Sequence, residues 1–180
     1  MEKATTHKLK KIAILGAEST GKSTIRKALA EHYHTVFVPE YARTYFETHN
    51  INQYGVSDLE IIAKNQLKLE KEYESKATDY LFCDTSLITV KIWAVYQFNK
   101  SPEFITNTIK GSDYDLYLIC NNDIAWIEDP QRRNENLRES LFKWNKHELQ
   151  KMNIDYKIIK GTNDERLKSA IASIDTFFKD

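Results

Sequence analysis

Residues 16–23 read Gly16-Ala17-Glu18-Ser19-Thr20-Gly21-Lys22-Ser23, and Thr24 follows. The run meets the spacing G-x-x-x-x-G-K-[ST] at every position. The two glycines let the backbone curl so that successive N–H groups face one point, where phosphate oxygens can sit. Lys22 can reach the β- and γ-phosphates of a nucleotide, and the Ser23 hydroxyl is the usual ligand for its Mg²⁺. A helix starting near Lys22 adds the positive end of its dipole. At average residue usage, a chain of this length meets the pattern by chance about once in a hundred. The reading is a phosphate-binding loop for ATP with Mg²⁺.

Further candidates stand where apolar runs end. Pro39-Glu40-Tyr41-Ala42-Arg43 follows one such run. Glu40 there is a general base or hydroxyl-orienting group, or else a helix-start acid paired with Arg43. Asp84-Thr85-Ser86 follows another. Asp84 is the second magnesium-side acid or the cap of the next helix, and the loop favours the first. Residues 121–138 hold Trp126, Asp129, Arg132, Arg133 and Arg138. They read as a lid whose arginines neutralise charge on a transferring phosphoryl group. Alternatively they form a charged surface loop, with Arg138 paired to Glu135 or Glu139. Gly161-Thr162-Asn163 can accept an adenine edge, or be only a turn and cap. Tyr41, Tyr45 and Trp126 are candidates to stack on a flat substrate ring, with Arg43 and Asp129 as neighbouring substrate contacts. Trp93, inside a helical pattern, is expected in the core.

The elements that must hold these residues are legible as alternating short apolar runs and helical patterns. Strands are expected at Ile12–Leu15, Thr35–Val38, Tyr80–Cys83, Leu116–Cys120 and Tyr156–Ile159. Helices are expected from Lys22, over Ser57 to Lys76 with Ser57 and Glu60 at capping-box spacing, around Ile88 to Tyr96, and over Asp164 to Phe178. No tight hairpin signal separates the strands. The pattern predicts an α/β fold with a five-stranded parallel sheet, helices on both faces and a lid, as one domain over 1–180 with a polar extension at 1–10. Ligands in such sheets sit at the carboxyl ends of the strands, where all these candidates fall.

Composition narrows the classes. Lys plus Arg number 26 and Asp plus Glu 26, so the formal net charge is zero. That gives no electrostatic case for a nucleic-acid or anionic-membrane partner. No apolar run approaches a membrane span. The polar, lysine-bearing start lacks the apolar stretch of a signal peptide, which makes cytoplasmic the expected location. Cys83 and Cys120, each closing an apolar run, read as buried reduced thiols.

Several segments together resemble the ribosylnicotinamide kinase domain of the bifunctional NadR-type proteins: GAESTGKST, VPEYAR, LFCDTSLITVKIWA, YDLYLIC, the D-I-A-W stretch and DPQRR…LRE. The likeness runs from about Lys11 to the last helix. It implies a P-loop, nucleoside-kinase-like fold and ATP-dependent phosphorylation of the 5′-hydroxyl of nicotinamide riboside, giving nicotinamide mononucleotide. It places phosphates on Gly16 to Thr24, a base at Glu40, the strand-end acid at Asp84, and lid arginines at Arg132, Arg133 and Arg138. The pyridine ring would lie near Tyr41, Tyr45 and Trp126. The H-x-G-H element of the adenylyltransferase part of such proteins does not occur in these residues, so the resemblance does not extend to adenylyl transfer. A kinase for another nucleoside, or a nucleotide-binding switch, are the alternative readings.

Overall fold

The computed structural model describes residues 8–111, 114–132 and 134–179. Five strands, β1 (Lys10–Leu15), β2 (Phe37–Val38), β3 (Tyr80–Asp84), β4 (Leu116–Cys120) and β5 (Tyr156–Ile159), form one sheet in the order β2-β3-β1-β4-β5. Every pairing is parallel. Among the described residues, seven helices connect and cover them: α1 (Lys22–His32), α2 (Tyr41–Thr48), α3 (Val56–Glu74), α4 (Leu87–Phe98), α5 (Glu103–Lys110), α6 (Arg138–Lys151) and α7 (Asn163–Phe177). A 3₁₀ turn, Glu135–Leu137, precedes α6.

Strand residues point alternately to two faces, and both faces are apolar. Ile12 and Ile14 pack with Leu116 and Leu118 under α1 and α7. Ala13 and Leu15 pack with Tyr117 and Ile119 under α3, α4, α5 and α6. Burial on both sides explains the continuous apolar runs. Cys83 and Cys120 are buried thiols, and burial pushes the Cys120 thiol up to about 11.

Register places the chemistry. Ile14 lies opposite Asp84, Leu15 opposite Ile119, and Val38 opposite Cys83. The loop after β1 therefore emerges beside Asp84, and Glu40, two residues past Val38, stands just beyond it. From β1 the chain crosses to β2 on one side of the sheet, and from β4 it crosses to β5 on the other. This is a topological switch point, where a crevice opens at the carboxyl edge.

Three local expectations are corrected. β2 is confined to Phe37–Val38, because the Thr35 hydroxyl instead donates to the Tyr80 carbonyl at 2.6 Å. The helix expected from Ser57 starts at Val56, and Asp58 rather than Glu60 closes its first turn by accepting from the Gly55 N–H at 2.7 Å. Asp84 ends β3 rather than following it. α5 was not foreseen, although its amphipathic run buries Ile105 and Ile109.

Candidate functional site

The loop of residues 16–23 wraps from β1 into α1. Gly16 has φ 144°, and a Cβ there would meet the Thr20 hydroxyl at 2.9 Å and the Cys120 carbonyl at 3.0 Å. Gly21, which precedes the first helical residue, has φ 79°. Only glycine takes both backbone conformations without strain. Thr20 donates to the Ala17 carbonyl at 2.8 Å, which fixes the curl. Lys22 folds back and donates to the same carbonyl at 2.8 Å, so it lies along the loop that it would serve.

At the foot of the loop, Ser23 donates to Asp84 at 3.3 Å and Arg26 pairs with the same Asp84 oxygen at 2.6 Å. Asp84 is fully buried, and its other oxygen, Oδ1, has no partner. Asp84 is not a helix cap: Ser86 caps α4 by accepting from the Ile88 N–H at 3.2 Å. A hydroxyl beside an unsatisfied buried carboxylate oxygen is the hard-oxygen donor set that Mg²⁺ takes. Ser23 and Asp84 fit that ion. Thr85 follows at φ 74°, a costly conformation for a β-branched residue, and its buried hydroxyl also lacks a partner.

A cavity of about 410 Å³ runs from the loop, residues 16–24, past Glu40 and Arg43 into a pocket between α2, α3, α4 and α6. The far end is walled by Phe46, Tyr54, Leu59, Ile62, Val90 and Trp93. Its size suits a small ligand. Glu40 stands between the two ends. Burial first, and then the neighbouring Asp84, raise its carboxyl above the ordinary 4.5, against the lowering pull of Lys22, Arg43 and Arg26. The Arg43 guanidinium lies 3.8 Å from Glu40 and 3.5 Å from Asp129.

The segment after β4 is folded onto the loop. The Ile127 N–H donates to the Ser19 hydroxyl at 2.8 Å, and Asn134 donates to Glu18 through its backbone at 3.0 Å and its amide at 3.2 Å. Arg138 donates to the Ser19 carbonyl at 3.1 Å and the Ile124 carbonyl at 2.8 Å. It thus joins lid to loop and makes neither of the pairs expected with Glu135 or Glu139. Arg132 lines the cavity while donating to the Ile127 carbonyl at 2.8 Å. Arg133 lies outside the described residues.

The stacking candidates part company. Tyr45 is 6% exposed, donates a short hydrogen bond to Asp58 and stacks on His49 at 3.9 Å. Its phenol pKa is raised to about 12, mainly by that hydrogen bond. The Tyr41 N–H donates to Gln66 at 2.8 Å at the start of α2. The Trp126 indole donates to Glu128 at 3.1 Å on the lid. None of the three rings lines the cavity, whereas Trp93, expected in the core, does. Helical periodicity identified the inner face of α4 without showing that a cavity, not a close-packed layer, lies against it.

Gly161 and Thr162 sit beside the loop but outside the cavity wall. The Gly161 N–H donates to Asp123 at 2.8 Å, and the Thr162 N–H donates to Glu165 at 3.3 Å at the head of α7. Beneath them lies Arg166, 3% exposed, which sequence reasoning passed over as one more helix cation. Its guanidinium pairs with Asp123 and donates to the carbonyls of Gly161 at 2.9 Å and Thr20 at 3.1 Å. The signal available was position: an arginine one turn into the helix after the last strand, facing the phosphate loop.

A five-stranded parallel sheet with this loop, strand-end acids and a folded-over lid defines a P-loop nucleotide-binding protein of the nucleoside-kinase type of fold. The chain belongs to the AAA domain family, whose profile matches residues 11–166. It is 29% identical over 124 residues to the trifunctional NAD biosynthesis/regulator protein NadR of Salmonella typhimurium, a match covering 67% of this chain and 30% of that protein. The shared part is thus less than a third of that relative's length. Among solved structures, a NadR protein in complex with NR superposes with a TM-score of 0.78 at 21% identity, over 96% of this chain and 52% of that one. Deoxyadenosine kinase from M. mycoides superposes with a TM-score of 0.62 at 14% identity, over 92% of this chain and 99% of that one. At those identities the structural likeness is one of fold.

Proposed function

We propose that this chain transfers the γ-phosphoryl group of ATP to the 5′-hydroxyl of nicotinamide riboside, giving nicotinamide mononucleotide and ADP. The observation that carries the reading is one continuous cavity with a phosphate loop at one end, an aromatic pocket at the other, and Glu40 between them. The names of the relatives, a NAD biosynthesis protein and a NadR protein in complex with NR, supply the acceptor. The acceptor's pyridinium ring is cationic, and Trp93, Tyr54 and Phe46 offer the π-faces that such a ring favours.

In this reading the loop amides and Lys22 hold the triphosphate, and Lys22 leaves the Ala17 carbonyl to do so. Bound at Ser23 and Asp84, Mg²⁺ would neutralise charge on the β- and γ-oxygens. Glu40 accepts the hydrogen bond of the riboside hydroxyl and takes its proton as the bond to phosphorus forms. Arg132 and Arg138, with Arg133 beside them in sequence, supply positive charge from the lid. Tyr41, Tyr45, Trp126 and Asp129 remain candidates only for a state in which α2 and the lid close further, and Gly161 and Thr162 for the adenine edge. Phosphoryl transfer passes through a loose transition state, in which the electrostatic groups outweigh the base. Among the described residues no helix is long and apolar enough to cross a membrane, and a cytoplasmic location is part of the proposal.

The test is ADP release with ATP, Mg²⁺ and nicotinamide riboside. Lys22→Ala is expected to lower kcat/KM at least ~100-fold, and Glu40→Gln to lower it less. Near-full activity in Lys22→Ala would refute the mechanism. ATP turnover indifferent to every nucleoside would instead favour a nucleotide switch.

A further inference from the structure

A chain of buried polar groups holds the start of α2, and it reaches Glu40 by way of α3. Glu40 directly precedes the first turn of α2, and its side chain makes no cap bond to that helix. The Tyr41 N–H is one of the donors that a helix start leaves without an acceptor in its own turn. Gln66, on α3, supplies the acceptor: its Oε1 takes the Tyr41 N–H at 2.8 Å. Gln66 Nε2 donates to Glu70 Oε1, one turn further along α3, at 3.3 Å. The Tyr114 hydroxyl donates to that same oxygen at 2.6 Å, and Lys11 Nζ pairs with the other, Oε2, at 3.0 Å. Lys11 is itself fixed in β1, where its backbone N–H donates to Asp115 at 2.9 Å.

The bonds run in one sense. A carboxylate only accepts, so Glu70 takes the NH₂ end of Gln66 and leaves the carbonyl end to face Tyr41. Glu70 thereby sets which way the Gln66 amide points. Gln66 and Glu70 are each 1% exposed. Burying a carboxylate is unfavourable even with a cation beside it, and apolar side chains would join α2 to α3 as firmly. What the polar chain adds is direction. It fixes one N–H, and with it the backbone that carries Glu40. Gln66 also lines the cavity, as Glu40 does, but its oxygen and its nitrogen both hold groups of the protein.

We infer that Gln66 is a positioning residue for Glu40: by holding the Tyr41 N–H, with its own amide set by Glu70, it keeps the Glu40 carboxylate facing the acceptor hydroxyl. Gln66 acts through the backbone of α2 rather than on the acceptor itself. The inference rests on the proposed phosphoryl transfer with Glu40 as base, and names what holds that base in place.

The experiment is a double-mutant cycle on kcat, by ADP release with ATP, Mg²⁺ and nicotinamide riboside. It compares the wild type, Gln66→Met, Glu40→Gln and the double variant. Methionine keeps the unbranched shape of glutamine and loses the amide. Gln66→Met is expected to lower kcat roughly 10-fold, as a small misplacement of a reacting group does. The KM for ATP should not change, because the phosphate loop lies between β1 and α1. In the Glu40→Gln background the same change should lower kcat less than ~2-fold, since the group that Gln66 positions is already gone. A loss of equal size in both backgrounds means damage that does not pass through Glu40, and it overturns the inference. Wild-type kcat in a folded Gln66→Met overturns it as well, and both results leave the kinase reading intact. No riboside-dependent ADP release by the wild type overturns the kinase reading and the inference with it. If Gln66→Met does not fold, as judged by its melting curve, Gln66→Asn goes through the same cycle and decides, since it keeps an amide but is one methylene too short to reach both partners.

Discussion

Glu40 shows how a single side chain carries opposite demands of stability and chemistry. Its carboxyl is raised by burial and by Asp84, and only partly lowered by Lys22, Arg43 and Arg26. A raised folded-state value means that Glu40 favours the folded state below its unfolded value, near 4.5. That contribution is lost as pH rises through the folded value. At pH 8 the ionised group is therefore a burden. Glu40→Gln should melt higher than wild type at pH 8, by roughly 2–4 °C, the shift that ~1 kcal/mol gives a chain of this size. The gain should vanish toward pH 4; a pH series of melting curves reads it. The same group must be ionised to take a proton. The acid limb of kcat/KM should thus lie above the ordinary carboxylate range and disappear in Glu40→Gln. Glu40 and Asp84 were legible as candidates because each ends an apolar run. Their mutual influence was not, because it depends on β2 and β3 being neighbours in the sheet.

At the scale of elements, the segment between β4 and α6 behaves as a strap on the phosphate loop. Ile127 bonds Ser19, Asn134 bonds Glu18, and Arg138, the first residue of α6, bonds the Ser19 carbonyl. Arg138 also gathers the Ile124 carbonyl and so holds both ends of the segment. Arg138→Ala should free the strap. Limited proteolysis is expected to cut within residues 121–137 several-fold faster than in wild type, and saturating ATP should restore less protection than it gives the wild type. Equal cleavage rates would show that Arg138 does not hold the strap. The sequence marked this stretch as lid-like from its arginines and acids. It could not show that the arginines face loop carbonyls, since Glu135 and Glu139 at helical spacing offered equally good partners on paper. The same limit applies to α4, whose period placed Trp93 inward but could not reveal that the inward side is a cavity.

Across the whole molecule, the sheet and its helices are the part most nearly written in the sequence. Five short apolar runs, each followed by a polar turn and a helical pattern, leave few arrangements other than a parallel sheet covered on both faces. Strand order is different: nothing local in Tyr80–Asp84 says that it lies between β1 and β2. Arg166 is a second case. As a sequence position it is a helix cation; in the fold it ties α7 to the phosphate loop through Thr20, to the turn after β5 through Gly161, and to Asp123 after β4. Removing it strands those buried carbonyls. Arg166→Ala should cost ~2–4 kcal/mol and lower Tm by roughly 5–15 °C, as read by calorimetry. A shift within 1–2 °C, the size of a surface substitution, would show that the network does not hold the domain together.

The central claim is phosphoryl transfer to a riboside within this one cavity, and the most direct measurement is the product. The purified chain, incubated with ATP, Mg²⁺ and nicotinamide riboside, should yield nicotinamide mononucleotide by mass spectrometry, in amounts equal to the ADP released. That formation should saturate with riboside and be lost in Lys22→Ala. ADP release that is independent of the riboside, with no mononucleotide formed, would contradict the account.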